Sequence, residues 1–324
     1  MTEIGMGRVA AILSDFDGTL CPTYRIRYNY DNSGFIPRPL EDILSEISLV
    51  IPICIITSKD FDFIYPKTKK FSKILSCILG LETFVLNDKE QINHNKNILN
   101  ENEKLYIDDI ASIKDIDIMD RISLYDHEMI SINSHILNEI AVYLDKNFQK
   151  IKTEKKFLKG EENILGGITL DWRQNTNWIV NKEKYKEIVK ESLYKILNNT
   201  QKEEGGISKE KSSFYQQHLF IQEYSTHPFI DVYVTKLNKG SAFDYVVSKL
   251  YEISDIKGKI IYLGDSENDN PAFRKADISI GVNSDNRLNP TLDCTYTIKF
   301  ENLSIFLNRL VENDFDFSES LLNF

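Results

Sequence analysis

The run Val9-Ala10-Ala11-Ile12-Leu13, ending at Ser14-Asp15-Phe16-Asp17-Gly18-Thr19-Leu20, decides the fold. Five consecutive apolar residues without alternation are the pattern of a strand buried on both faces of a parallel sheet. The run stops abruptly at two acids and a glycine, so polar groups gather at the strand's carboxyl end. A second run, Ile51-Pro52-Ile53-Cys54-Ile55-Ile56, stops in the same way at Thr57-Ser58-Lys59. Between the two, Leu40–Ile47 places apolar residues at helical spacing. Strand, helix and strand in that order predict a βαβ unit of an α/β protein. A third apolar stretch, Thr83–Leu86, follows a segment read as helical, Phe71–Leu79.

The character changes after Asn87. Residues 88–120 are polar, rich in Asn, Asp and Lys. Two helical stripes follow, one on Ile132, Ile136, Leu137, Ile140 and Leu144, the other on Tyr185, Ile188, Val189, Leu193 and Ile196. Between them Ile168, Leu170 and Trp172 alternate with Thr169, Asp171 and Arg173, the mark of a half-buried strand. Thr200–Ser213 carries turn and charge signals only, and Leu219–Tyr224 and Phe229–Val234 are β-like. Parallel-sheet patterning returns with a helix after Lys239-Gly240, for which Ser241 is the expected N-cap and Asp244 its capping-box partner. The strand Ile260–Leu263 then ends at Gly264-Asp265-Ser266-Glu267-Asn268-Asp269, and Asp277–Val282 and Thr295–Phe300 close the pattern. The expected organisation is a Rossmann-like core of residues 1–87 and 236–324, with a parallel sheet, interrupted by an α+β insert at 88–235.

A length of 324 residues agrees with two domains or one domain carrying a large insertion. A hydrophobic fraction of 42% with only 14 Gly and 8 Pro excludes wholesale disorder. No stretch approaches the roughly 18–20 apolar residues of a membrane helix. The first seven residues hold one acid and no basic cluster, so no signal peptide is expected. Cys21, Cys54, Cys77 and Cys294 lie far apart without metal-ligand spacing, which fits a reducing cytoplasm. With 39 basic against 49 acidic residues the net charge is −10, the wrong sign for a nucleic-acid binder. The basic stretch Gln149–Lys159 reads as a solvated helix face or loop.

Three strands thus end in polar clusters: Asp15/Asp17/Thr19, Thr57/Ser58 and Asp265/Glu267/Asn268/Asp269. In an open parallel sheet that edge is where ligands bind. Converging carboxylates need a cation between them. Oxygen donors without clustered His or Cys call for a hard ion, Mg²⁺ by preference. Lys239 adds an ammonium and Thr57 a hydroxyl, and together these groups suit a phosphoryl group. None of His94, His127, His135, His218 and His227 has ligand spacing, and Trp172 and Trp178 read as core residues.

Ser14–Leu20 (SDFDGTL), Thr57 after its strand, Lys239-Gly240 and Gly264–Asp269 (GDSEND) resemble the four motifs of the haloacid dehalogenase superfamily. The insert is similar in position and type to the α+β cap of its sugar-phosphatase branch, which holds trehalose-6-phosphate, sucrose-phosphate and mannosyl-3-phosphoglycerate phosphatases. The resemblance covers about residues 8–87 and 229–300. It implies that Asp15 is the nucleophile and Asp17 the general acid and then base. It implies a Mg²⁺ site of Asp15, Asp17 through its main-chain carbonyl, Asp265 and Asp269, the last through water or Lys239. It further implies phosphate binding by Thr19, Thr57, Lys239 and Asn268. Ser58 and Lys59 stand where the family often has Gly and Arg, and that pair is closer to the mannosyl-3-phosphoglycerate enzymes. Gly167–Arg173 (GITLDWR) instead resembles a trehalose-phosphatase cap strand, so the sugar stays open. Ser58, Asp171 and Arg173 are candidate substrate contacts, the last two reading slightly better as a surface ion pair. The expected partner is a small phosphorylated metabolite, with no nucleic acid or membrane, for a monomer or homodimer. A phosphomutase of the same superfamily and a non-catalytic phosphosugar-binding protein are the alternatives.

Overall fold

The computed structural model describes residues 7–22, 35–87, 118–123, 127–173, 175, 177, 180–203, 219–224, 227–283 and 290–324. Its strand β1 (Gly7–Ser14) lies in the middle of a large sheet. On one side β1 is parallel to β2 (Ile53–Ile56), and β2 to β3 (Ser72–Cys77). On the other side it is parallel to β4 (Lys259–Gly264), followed by β5 (Ile278–Asn283) and β6 (Tyr296–Lys299). The chain therefore winds away from β1 in both directions, and the switch point falls between β1 and β4. Two antiparallel strands, β7 (Glu82–Leu86) and β8 (Ile118–Ser123), extend the β3 edge.

Both faces of this sheet are covered, as its unbroken apolar runs require. Ile12, Ile53 and Ile55 join one core with α1 (Arg38–Ile47) and α2 (Leu303–Glu312). Ala11, Leu13, Cys54 and Ile56 join another with Phe243, Val246 and Leu250 of α3 (Lys239–Ile253).

A second, antiparallel sheet has the order β9 (Lys152–Leu158), β10 (Glu161–Asp171), β11 (Phe229–Tyr233), β12 (Phe220–Glu223). Ile168, Leu170, Ile230 and Val232 on one face pack with the stripe Ile130, Ile136, Leu137, Ile140 and Leu144 of α4 (His127–Asn147) and with Val189 of α5 (Lys182–Glu203). Trp172 is buried with them, and Trp178 lies outside the described residues. The register puts Glu154, Thr169, Asp231 and Gln222 side by side across the other, polar face.

Several elements differ from the sequence reading. Phe71–Leu79 contains strand β3, not a helix; Ile74 and Leu75 are both buried, so no alternation marks it. Residues 118–123, assigned to the insert, pair with β7 of the main sheet. Helix α3 is capped by Asn238, whose side chain accepts from Ser241 N–H, so Ser241 lies inside the first turn. Helix α5 continues to Glu203, and the remainder of the expected loop to 213 lies outside the described residues.

The basic stretch 149–159 is the clearest correction, because it contains strand β9 and its Lys156 is buried. Lys156 Nζ lies 3.0 Å from Asp231 Oδ1, both side chains 2% exposed. Asp231 also accepts from Thr169, Tyr224 and Tyr233. Burial raises the Asp231 pKa, but Lys156 and the hydroxyls of Thr169 and Tyr224 outweigh it and hold the carboxyl below its usual range. A charge buried this deeply is tolerable only when paired and hydrogen-bonded. Lys156→Ala should therefore destabilise the protein by about 3–5 kcal/mol, read as a lower denaturant midpoint; a cost within experimental error would show that the pair is dispensable.

Candidate active site

The switch point brings two strand ends together. Asp15 follows β1, its N–H donating to Leu263 O of β4 at 2.9 Å, and Asp265 follows β4 directly. The backbone turns sharply after Asp15: Gly18 has φ +89° and donates to Cys21 O at 2.7 Å. A Cβ at Gly18 would stand 1.9 Å from Asp265 Oδ2, so only glycine lets these two loops approach. Thr19 is fully buried, and its hydroxyl donates to Asp265 Oδ1 at 3.4 Å. It braces that carboxylate from behind.

Lys239 occupies the centre. As the first residue of α3 it is 2% exposed, with Nζ 2.7 Å from Asp15 Oδ1 and 2.7 Å from Asp269 Oδ1. Burial pulls its pKa down, yet Asp15 and Asp269 together raise it above the ordinary lysine range. Asp269 is buried completely and saturated with donors. Oδ1 accepts from Lys239 and from the Tyr262 hydroxyl, each at 2.7 Å. Oδ2 accepts from Asp265 N–H at 3.1 Å and from Ser266 N–H and Oγ at 3.0 Å each. Asp15 has fewer donors, and burial, followed by the charges of Asp269 and Asp17, pushes its pKa up to about 7 despite Lys239.

Asp15, Asp265 and Asp269 each present an oxygen within 4.8 Å of the others. The donor set is all carboxylate, with no nitrogen or sulfur, and one of its acids resists ionisation without a further cation. Those features fit a hard divalent ion such as Mg²⁺. Because Asp269 is filled by five donors, it suits a supporting place behind Asp15 and Asp265.

Thr57 is buried after β2, and its hydroxyl accepts from Lys59 N–H at 3.2 Å. Its carbonyl accepts from Leu79 N–H, and that of Lys59 from Ile78 N–H, each at 2.9 Å. Ile78, Leu79 and Gly80 all have positive φ (49°, 57° and 96°), a tight turn that clamps the Thr57 loop. A Cβ on Gly80 would meet Ala242 Cβ of α3 at 2.9 Å, so this turn also presses on the helix carrying Lys239. Asn268 is buried in the Glu267–Asp269 turn beside Asp269.

The other candidates lie on the second sheet's polar face or next to it. Ser58 stands beside the Tyr233 hydroxyl. Arg173 pairs with Asp171 and stacks over Phe229, its Cζ 5.8 Å from the ring centroid. The side chains are 20% and 13% exposed, so the ion pair is half-buried and not on the surface. Among the described histidines, His127 pairs with Glu161 and His135 with Glu139, while His227 packs among Tyr224 and Phe229. Sequence reasoning missed Tyr262, Lys59 as a contact of Asp17, and Glu154. Tyr262 offered no signal, standing in an apolar run; the basic 149–159 stretch contained Glu154 but no hint of its partner.

No catalogued family profile matches this sequence, and no curated protein matches it by sequence. Solved structures do match over almost the whole chain. A C. albicans trehalose-6-phosphate phosphatase C-terminal domain is 15% identical with a TM-score of 0.59, covering 95% of this chain and 94% of that one. A trehalose-6-phosphate phosphatase related protein is 12% identical with a TM-score of 0.54, covering 94% and 98%. A haloacid dehalogenase-like hydrolase from Bacteroides thetaiotaomicron is 10% identical with a TM-score of 0.52, covering 94% and 100%. The chain shares the fold of these trehalose-6-phosphate phosphatase and haloacid dehalogenase-like hydrolase structures. At these identities the likeness is one of fold. Among the described residues no helix is long and apolar enough to cross a membrane.

The clamp at Gly80 can be tested by itself. Gly80→Ala should cost roughly 1–3 kcal/mol, since alanine is strained at this φ and its methyl meets α3. A thermal or denaturant midpoint equal to that of the unaltered protein would mean that the turn relaxes freely.

Proposed function

We propose that the chain is a Mg²⁺-dependent phosphomonoester hydrolase acting on a sugar phosphate or similar small phosphorylated metabolite through an aspartyl phosphate. One observation carries the reading: Lys239, buried between Asp15 and Asp269 with Asp265 at the same strand edge. A carboxylate attacks a phosphate dianion only where positive charge offsets the repulsion, and this ammonium touches the proposed nucleophile.

Asp15 forms the new O–P bond as the bond from phosphorus to the leaving alcohol breaks. Asp17, two residues on and partly exposed, protonates that alcohol and then accepts a proton from the water that hydrolyses the acyl phosphate. Lys239, Thr57 and Asn268 bind phosphoryl oxygens, with Thr19 and Asp269 holding the carboxylates in register. Asp15, Asp265 and the Asp17 carbonyl would hold Mg²⁺. When bound, the ion supplies charge stabilisation to the transferring phosphoryl group.

Residues 88–235, apart from 118–123 in the main sheet, form the proposed cap, and Ser58, Asp171 and Arg173 are the proposed substrate contacts. The proposal extends to a monomer or homodimer in a reducing compartment, with a small phosphorylated metabolite as its partner; the four cysteines are free.

Asp15→Asn is nearly isosteric and should abolish aryl-phosphate hydrolysis with Mg²⁺ while leaving the circular dichroism unchanged. Turnover near the original level in that variant would sink the aspartyl-phosphate route. EDTA should likewise abolish activity, and Mg²⁺ should restore it better than Ca²⁺, whose looser shell of about 6–8 ligands misplaces the nucleophile.

A panel of phosphorylated sugars, read by released phosphate, should identify the preferred ester. Arg173→Ala should then raise KM for that ester by roughly tenfold, about 1.4 kcal/mol, and leave an aryl phosphate nearly untouched. An equal response of both substrates would make Arg173 a structural residue.

A further inference from the structure

Five consecutive residues after Thr57 each touch the second sheet or the turn that joins β9 to β10. Ser58 stands beside the Tyr233 hydroxyl, Lys59 donates to Glu154, and Asp60 Oδ2 accepts from Phe157 N–H at 3.3 Å. Lys159 Nζ sits 5.0 Å from the Phe61 ring centroid and 2.8 Å from Asp62 Oδ1. Strand β9 thus lies along the very segment that leaves the phosphate-binding loop.

Within this seam Lys59 alone also reaches the chemistry. Its Nζ is 2.6 Å from Glu154 Oε1 and 3.7 Å from Asp17 Oδ2, and it lies over the Phe63 ring at 4.9 Å from the centroid. Burial lowers its pKa, but Asp17 and Glu154 more than offset this and keep the ammonium firmly charged. The tighter contact is with Glu154, so the second sheet, not Asp17, sets where this ammonium stands. Lys239 differs, because both of its acids belong to the main sheet's own loops. A cation whose position is set by one unit and whose charge acts on a carboxylate of the other couples the two.

We propose that Lys59 is a positioning residue: anchored by Glu154, it holds the Asp17 carboxylate in place for proton transfer, so that the general acid is aligned only while the cap is seated. This rests on the phosphatase reading above. It predicts an effect that depends on the leaving group, because a poor leaving group needs protonation and a good one does not.

The test uses the full chain with Mg²⁺ on phenyl phosphate and 4-nitrophenyl phosphate. Lys59→Met should lower kcat for phenyl phosphate roughly tenfold more than for 4-nitrophenyl phosphate, and Lys59→Arg should recover most of the difference. Glu154→Gln should show the same bias, and the double variant Lys59→Met/Glu154→Gln should be no worse than Lys59→Met, since the two act through one contact. The comparison is made on variants whose circular dichroism matches that of the unaltered protein. Equal losses on the two esters, or additive losses in the double variant, then overturn the proposal. If the unaltered protein hydrolyses neither ester, the phosphatase reading is what fails. Amide exchange at Phe157 then judges the coupling: it should be several-fold faster in Lys59→Met, and unchanged exchange would overturn it.

Discussion

A lysine ammonium that is 2% exposed and lies 2.7 Å from each of two aspartates is the constraint on which this site depends. Without it, Asp15 and Asp269 would face one another in a space closed to water, and one of them would have to stay protonated. Its presence dictates the neighbourhood. Helix α3 must begin where it does, with Asn238 capping it, to deliver Lys239 at the sheet's carboxyl edge. Asp269 must be fixed by Tyr262 and Ser266 so that its charge faces the ammonium. The remaining imbalance falls on Asp15, which burial pushes toward neutrality, and that is the residue placed to gain most from a bound divalent ion.

The same rule of local compensation governs the second sheet. Lys156 is matched to Asp231, Arg173 to Asp171 and Lys59 to Glu154. These pairs turn what would be a costly charged face into one that can lie against the main sheet's loops. Behind it, the apolar core runs without a break from α1 through Ile78 and Leu81 to Leu158, Leu165 and the α4 stripe. The two units therefore share a core as well as a polar seam. Glu82 shows how close the join is: it is fully buried in β7 and accepts from Lys159 N–H of the second unit at 3.0 Å.

Much of the main sheet was legible because burial on both faces leaves an unmistakable trace. The runs 9–13, 51–56 and 260–263 have no polar residue to confuse the period, and each ends in the acids or hydroxyls that the sheet's edge collects. β3 was harder, since Ser72, Lys73 and Ser76 interrupt its apolar residues and mimic a helix. β8 was misassigned because edge strands need only backbone pairing, which polar sequence does not forbid. The basic 149–159 stretch misled for a related reason: charge implies solvent unless the opposing charge is known, and Asp231 lies 75 residues from Lys156.

By itself the sequence determined the α/β class, the order of the three polar clusters and of Lys239, and the identity of Asp15, Asp17, Thr57, Lys239 and Asp265 as the groups at strand and helix ends. Those are local properties, set by apolar runs and by where they stop. Only the tertiary structure decided which of these groups meet and which are already spent. Asp269 is filled by five donors, Thr19 is turned onto Asp265, and Lys59 is tied to Glu154 across 95 residues. Such pairings depend on sheet order and loop approach, and in a buried site the nearest opposite charge, however distant along the chain, controls what each group can do.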